Sequence, residues 1–231
     1  MKTRYMTVTV IAVSAFALGV ACLAQSASKP ASGSPVMVSL TPVAGDLASK
    51  YPMSVTEALG KRRSQRSFAE RALTAEELSL LCWAGQGITD PKTGKRAAPS
   101  ARAVYPLVLY AISDKGLHEY VPADHALKEA ATGDMKQKLA EVARQGSMRQ
   151  APVVFLIAMD MDKAGSRLGN TAEKSSYLEA GHVAQNILLE ATSMGLAGVP
   201  ATGFDPAKVH EAMGLPANQE VIYLVPVGQP K

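Results

Sequence analysis

Cysteine is nearly absent from this chain. Its 231 residues hold two, Cys22 and Cys82, and the first lies in an N-terminal segment that reads as removable, so no internal disulfide is expected to staple the rest. Aromatic residues make up only 5% of the chain, with Trp83 the single tryptophan, and no basic stripe carries interleaved rings. That excludes a general nucleic-acid binder. Charge of one sign is not in excess either. The 24 Lys and Arg include Lys2 and Arg4, and without those two, 22 basic residues meet 20 acidic ones. His118, His125, His182 and His210 have no ligand spacing with one another, with a cysteine or with paired carboxylates, so no zinc site is expected. A G-x-S-x-G elbow, a P-loop and a strand-linked G-x-G-x-x-G are all missing. The commonest hydrolase, nucleotide-hydrolase and Rossmann readings fall with them.

What is present begins with an export signal. Lys2 and Arg4 precede an uncharged apolar run over residues 6–24, and the small residues Ala24, Ser26 and Ala27 close it. Residues 1–28 are therefore read as a cleaved signal and the protein as periplasmic or secreted. Two alternatives stay open. The run of 19 residues is just long enough to anchor in a bilayer, and Val20-Ala21-Cys22 resembles the end of a lipobox, with Gly19 where leucine is usual. Membrane contact would come only through an uncleaved signal or a lipid on Cys22. Residues 29–50 read as a linker and N-terminal arm, and residues 51–231 as one domain. Cys82, next to Trp83, is expected to be a core thiol rather than a nucleophile.

Within the domain, Ser54-Val55-Thr56-Glu57 and Thr74-Ala75-Glu76-Glu77 have capping-box form and open two helices. Residues 90–100 read as a polar loop. Strands are expected after Pro106 and up to Ser113, and over residues 117–121, 151–159 and 220–227. Residues 125–132 and 134–145 read as two polar-faced helices, and residues 160–175 have no clear periodicity. The longest helix is expected near 176–194, with Leu178, Val183, Ile187, Leu188 and Ala191 on its apolar face. Asp205-Pro206 starts a short helix ending at Gly214. The mixture lacks strict βαβ alternation and predicts an α+β sandwich whose central sheet is mostly antiparallel and flanked by helices.

Three loops could offer donors to an anion or to the edge of a flat ring. The first, Lys61-Arg62-Arg63-Ser64-Gln65-Arg66-Ser67-Phe68, concentrates guanidiniums and a hydroxyl that suit a phosphate monoester. It reads equally well as a solvated basic turn. The second is Pro99-Ser100-Ala101-Arg102. The third, Gly198-Val199-Pro200-Ala201-Thr202-Gly203-Phe204, would let backbone N–H groups approach a ligand closely.

Taken in order with their surroundings, these loops resemble the FMN-dependent nitroreductase family, and in particular its SagB-type (SagB/ThcOx-like) dehydrogenase branch. Carrying the resemblance are the arginine cluster, Leu81-Cys82-Trp83-Ala84-Gly85-Gln86-Gly87, Pro99-Ser100-Ala101, Tyr105-Pro106-Leu107, Leu178-Glu179-Ala180-Gly181-His182-Val183-Ala184-Gln185-Asn186, Gly203-Phe204-Asp205 and Pro226-Val227-Gly228. The resemblance implies a homodimer with FMN between two protomers, which acts on a small organic substrate with an unidentified electron donor or acceptor. It implies that Arg62, Ser64 and Arg66, with Arg63 close by, hold the FMN phosphate. Pro99, Ser100 and Ala101 would lie against the flavin and ribityl chain, and Pro200, Thr202 and Gly203 would form the loop that donates to flavin N5. The flavin carries the hydride chemistry, so no catalytic side chain is required, and Glu179 and His182 are expected to shape the interface or helix packing. Two positions depart from the branch. Arg102-Ala103 stands where Gly-Ala is usual, so that Arg102 could reach the phosphate or narrow the pocket. Lys231 is the residue that could replace a basic phosphate ligand often found past the position of Gly228. The competing reading is a flavin-binding or degenerate scaffold without turnover.

Overall fold

The structure, a computed structural model, describes residues 36–43 and 49–231. The export-signal reading of residues 1–28 lies outside the described residues. Seven strands form one sheet in the order β1-β6-β5-β4-β7-β9-β8. They are β1 (Met37–Ser39), β4 (Leu107–Ser113), β5 (Gly116–Val121), β6 (Ala126–Ala131), β7 (Val153–Asp160), β8 (Ala197–Gly198) and β9 (Gln219–Gly228). Every pairing between these strands is antiparallel.

Both faces of the sheet are covered, which explains why β4, β7 and β9 are near-continuous apolar runs rather than alternating ones. Leu107, Leu109, Phe155, Ile157 and Val225 point to one face. There they meet α2 (Ala75–Gln86) and α6 (Ala172–Ser193) through Leu81, Cys82, Val183, Ala184 and Ile187. Tyr110, Ile112, Val154, Leu156 and Leu224 point to the other face. They meet α3 (Met135–Ala143), α4 (Gly146–Gln150) and α7 (Pro206–Met213) through Leu139, Met148 and Val209. Two more helices are α1 (Val55–Lys61) and α5 (Met161–Leu168). Cys82 is fully buried, and burial pushes its thiol well above the ordinary range, as a core thiol requires.

Several local expectations are corrected. Residues 126–131 form strand β6 instead of a helix. Their Ala, Leu, Lys and Glu favour a helix, but β5 and β1 supply ladder partners on both sides. His125, at φ +44°, turns the chain back after β5. Residues 37–39 of the N-terminal arm are thereby drawn into the sheet. The 90–100 loop contains a hairpin, β2 (Ile88–Asp90) and β3 (Lys95–Arg96). Its turn is held by Asp90, which accepts from the Lys92 amide and the Thr93 hydroxyl. Residues 160–175 hold α5, capped by the Asp160 carboxylate at the Lys163 amide. Leu178 is 59% exposed, outside the buried face of α6.

Candidate active site

The first loop grows out of the end of α1. Arg63 is spent there: its guanidinium donates to the carbonyls of Gly60 (3.1 Å) and Arg62 (2.7 Å), closing the helix C-terminus. Arg63, expected close to the phosphate, is engaged here with the helix end. Arg62, Ser64 and Arg66 differ, because none of their side chains is hydrogen-bonded or ion-paired to another described residue. Backbone contacts fix the loop instead. Ser64 bridges Gly198 and the Gln65 amide donates to the Gly198 carbonyl at 3.2 Å. Phe68 is buried, the Ala69 amide donates to Gln229, and the Lys231 amide donates to Ser67 at 3.3 Å. The Lys231 backbone is thus brought beside the arginine cluster.

Gly198 is the hinge of this arrangement. A Cβ there would lie 2.8 Å from both the Pro226 carbonyl and Leu188 Cδ2, so only glycine lets the first loop, β8 and β9 approach so closely. From Gly198 the third loop runs back along β9, with Ala201 and Leu224 exchanging backbone hydrogen bonds of 2.8 and 3.1 Å. Gln145, which sequence reasoning missed, donates its side-chain amide to the Gly203 carbonyl at 3.0 Å. Thr202 and Gly203 are exposed, and their own N–H groups donate to no described protein group. Pro200 is half-buried between them and β8.

The second loop is built differently. Ser100 accepts the Ala103 amide on its carbonyl and the Tyr105 amide on its hydroxyl. Arg102, Ala103 and Tyr105 all have positive φ, at +54°, +53° and +51°. Each such residue carries strain of about 1 kcal/mol or more. That conformation explains why glycine is usual at the position of Arg102. The Arg102 guanidinium, expected to reach the phosphate or narrow the pocket, turns toward α5. It donates to the Arg167 carbonyl at the end of α5 at 2.8 Å. Pro99 is exposed and Ala101 partly so.

Sheet register separates the loops. Gly198 pairs with Val227, which pairs with Val153 at the start of β7. The second loop leads into β4, where Leu107 pairs with Met159 and the Pro106 carbonyl accepts the Asp160 amide, at the end of β7. The length of β7, about 23 Å at 3.3 Å per residue, therefore stands between the first loop and the second. Loop one lies at the Val153 end of β7, loop three starts there and runs to the level of Leu156 where Ala201 pairs with Leu224, and the second loop starts from the opposite end.

Beneath the second loop is a buried polar group that sequence reasoning took for packing. Glu179 is 2% exposed. Burial raises its carboxyl above the ordinary range, outweighing the opposing pull of Ser100 and the Arg96 charge. Arg96 lies across the Tyr105 ring at 4.7 Å and donates to Gln86 Oε1.

Comparison with known proteins decides the lineage. The Nitroreductase family profile matches residues 59–229. The chain belongs to the nitroreductase family. MJ1384 of Methanocaldococcus jannaschii, which carries a provisional nitroreductase name, is 32% identical over 184 residues, covering 77% of this chain and 91% of its own. A nitroreductase-like crystal structure from Ralstonia eutropha JMP134 superposes with a TM-score of 0.74 at 23% identity, over 84% of this chain and 90% of that one. One from Desulfovibrio desulfuricans, solved in complex with FMN, gives 0.59 at 24% identity over 77% and 87%. A chain of the Escherichia coli microcin synthetase McbBCD complex gives 0.68 at 18% identity, over 95% of this chain and 85% of that one. The nitroreductase α+β fold, with its antiparallel sheet flanked by helices, is the one expected from sequence.

Proposed function

We propose that this nitroreductase-family chain is an exported FMN-dependent oxidoreductase of the SagB-type dehydrogenase branch, working as a homodimer on a small organic substrate. The observation that carries the cofactor is the free N–H pair of Thr202 and Gly203, beside a loop whose Arg62, Ser64 and Arg66 side chains have no partner among the described residues. The residues fit the group. Unpaired guanidiniums and a hydroxyl match a phosphate monoester, and exposed amides suit the N5 edge of an isoalloxazine. When bound, FMN supplies hydride transfer at N5. Arg62, Ser64, Arg66 and Lys231 would hold its phosphate, while Thr202 and Gly203 would orient the ring and stabilise charge on it.

The same geometry supports the homodimer reading. On this reading Pro99, Ser100 and Ala101, at the opposite end of β7 from the first loop, would be supplied by a second copy. Exposed Val55, Leu59 and Leu178 (70%, 55% and 59%) leave apolar surface on α1 and α6 for such a contact. A Cβ added at Gly181 would meet no atom within 4 Å, which leaves room for close helix approach. The branch assignment rests on the arginine cluster, the Pro-Ser-Ala loop and the Glu179–Asn186 run, with the McbBCD likeness in fold as support.

Export sets the electron donor apart from cytoplasmic NAD(P)H. The reading is therefore of an enzyme that draws electrons from its substrate, or from another donor, and passes them to oxygen or a carrier. Purified protein should be yellow or take up added FMN, and the bound flavin should bleach under dithionite and recover with an acceptor. A protein that rejects FMN contradicts the enzyme, and one whose flavin never turns over with any donor supports the scaffold reading.

A further inference from the structure

Residues 229–231 are laced to the end of the first loop. The Ala69 amide donates to the Gln229 carbonyl at 2.9 Å, and the Lys231 amide donates to the Ser67 carbonyl at 3.3 Å. Phe68 and Pro230 face each other between these bonds as an antiparallel bridge. Pro230 stands where such a ladder asks for no N–H, so its missing donor leaves nothing unpaired. Two backbone bonds do not by themselves offset the entropy of ordering the residues they join. The Arg71 guanidinium adds a tether. Its Nε donates to Gln229 Oε1 at 2.7 Å, while its two terminal nitrogens form a fork on Glu77 at 3.0 and 2.9 Å. Glu77 is itself fixed, since it is buried and its carboxylate accepts the Thr74 amide at 2.7 Å in the capping box of α2. The fork sets the plane of the guanidinium, and the Nε edge is left for Gln229. Observed contacts thus run from α2 through Glu77, Arg71 and Gln229 to the backbone on either side of Phe68. The side chains of Arg66 and Lys231, at the end of this path, have no partner among the described residues.

We propose that Arg71 and Gln229 are positioning residues for the phosphate end of the cofactor site, holding residues 229–231 against Ser67 so that Arg66 and Lys231 can meet one phosphate together. This rests on the FMN reading above and adds to it what fixes the spacing of those two side chains. A lysine already gives up rotamer freedom when its ammonium settles on an anion. Were its backbone loose as well, that too would have to be ordered each time a phosphate bound. With the backbone held beforehand, only the side chain remains to be ordered, and affinity for the phosphate rises. The consequence is specific to one part of the ligand. Loss of the tether weakens FMN, which carries the phosphate, and spares riboflavin, which has the same ring and ribityl chain without it.

The test compares FMN and riboflavin binding to the full chain by fluorescence titration in wild type, Gln229→Met, Lys231→Ala and the double variant. Gln229 is exposed, so methionine removes the acceptor at nearly constant length and leaves the core intact. Arg71→Ala, by contrast, would strand the buried Glu77 carboxylate and endanger the fold. Wild type should prefer FMN to riboflavin. Gln229→Met should weaken FMN about 3- to 10-fold and leave riboflavin unchanged. In the Lys231→Ala background the same substitution should cause no further loss. Hydrogen exchange reads the tether without any flavin, and the Ala69 amide should exchange faster in Gln229→Met than in wild type. Equal weakening of both flavins, unchanged FMN affinity, a full additional loss in the double variant, or unchanged exchange at Ala69 would overturn the proposal. A wild-type chain that binds neither flavin, while Ala69 exchange still depends on Gln229, overturns the cofactor reading and the use assigned to the tether.

Discussion

The Gln65 amide donates to the Gly198 carbonyl at 3.2 Å, and this bond makes the arginine loop and the Thr202-Gly203 loop a single structural unit. The first loop borrows its rigidity from the sheet edge at β8. On the proposed reading, a phosphate held by Arg62 and Arg66 and a ring edge held by Gly203 would thereby be fixed relative to each other.

Gly198→Ala should disturb both loops at once. The added methyl meets the Pro226 carbonyl, which belongs to β9 and cannot swing aside. Stability should fall by about 1–3 kcal/mol in urea unfolding, and FMN affinity should fall in the same protein.

The three arginines of the cluster should behave differently. Arg62→Ala and Arg66→Ala each remove a charge-assisted phosphate contact and should weaken FMN binding by about 1.5–3 kcal/mol, or roughly 10- to 150-fold. Arg63→Ala removes only the cap of α1. It should leave flavin affinity nearly unchanged and lower stability by about 0.5–1.5 kcal/mol. Flavin titration of the three variants checks the order.

At position 102 the usual ranking of glycine and alanine should reverse. Both Arg102→Gly and Arg102→Ala lose the bond to the Arg167 carbonyl. Only glycine occupies φ +54° without steric cost, so the glycine variant should be the more stable by about 1 kcal/mol. Thermal unfolding of the pair decides it.

Acid should weaken the fold through Glu77. Burial alone would raise this carboxyl, but hydrogen bonds from Arg71 (2.9 and 3.0 Å) and from Thr74 overcome burial and hold it below the ordinary glutamate range. A depressed folded-state value means the stabilisation is complete above the ordinary range and is lost as pH falls through the depressed one. Urea unfolding across that window should show wild type losing its advantage over Glu77→Gln as the solution is acidified.

Much of this was legible from residue order. The capping boxes at Ser54 and Thr74, the N-cap at Asp205 and the apolar runs of β4, β7 and β9 are local signals, and the structure contains each element they announce. Residues 126–131 were not legible, because their helix-favouring composition is overridden by strands that lie elsewhere in the chain. The site divides along the same line. The donors of the first and third loops can be recognised by residue type. That Arg63 caps a helix, that Arg102 turns toward α5, and that Gln145 pins Gly203 depend on where distant backbone falls. The buried state of Glu179 belongs with them, since Ser100 and Arg96 come to it from far back in the sequence.

The central claim is that loops one and three of one protomer complete their site with the second loop of another. Co-expressing Arg62→Ala/Arg66→Ala chains with Ala101→Trp chains tests it through bound-flavin absorbance. Each variant alone should be colourless. In a mixed dimer, one site combines an intact first loop with an intact second loop from the other chain, so flavin binding should return. A mixture that stays colourless while its mixed dimers form would contradict the shared site.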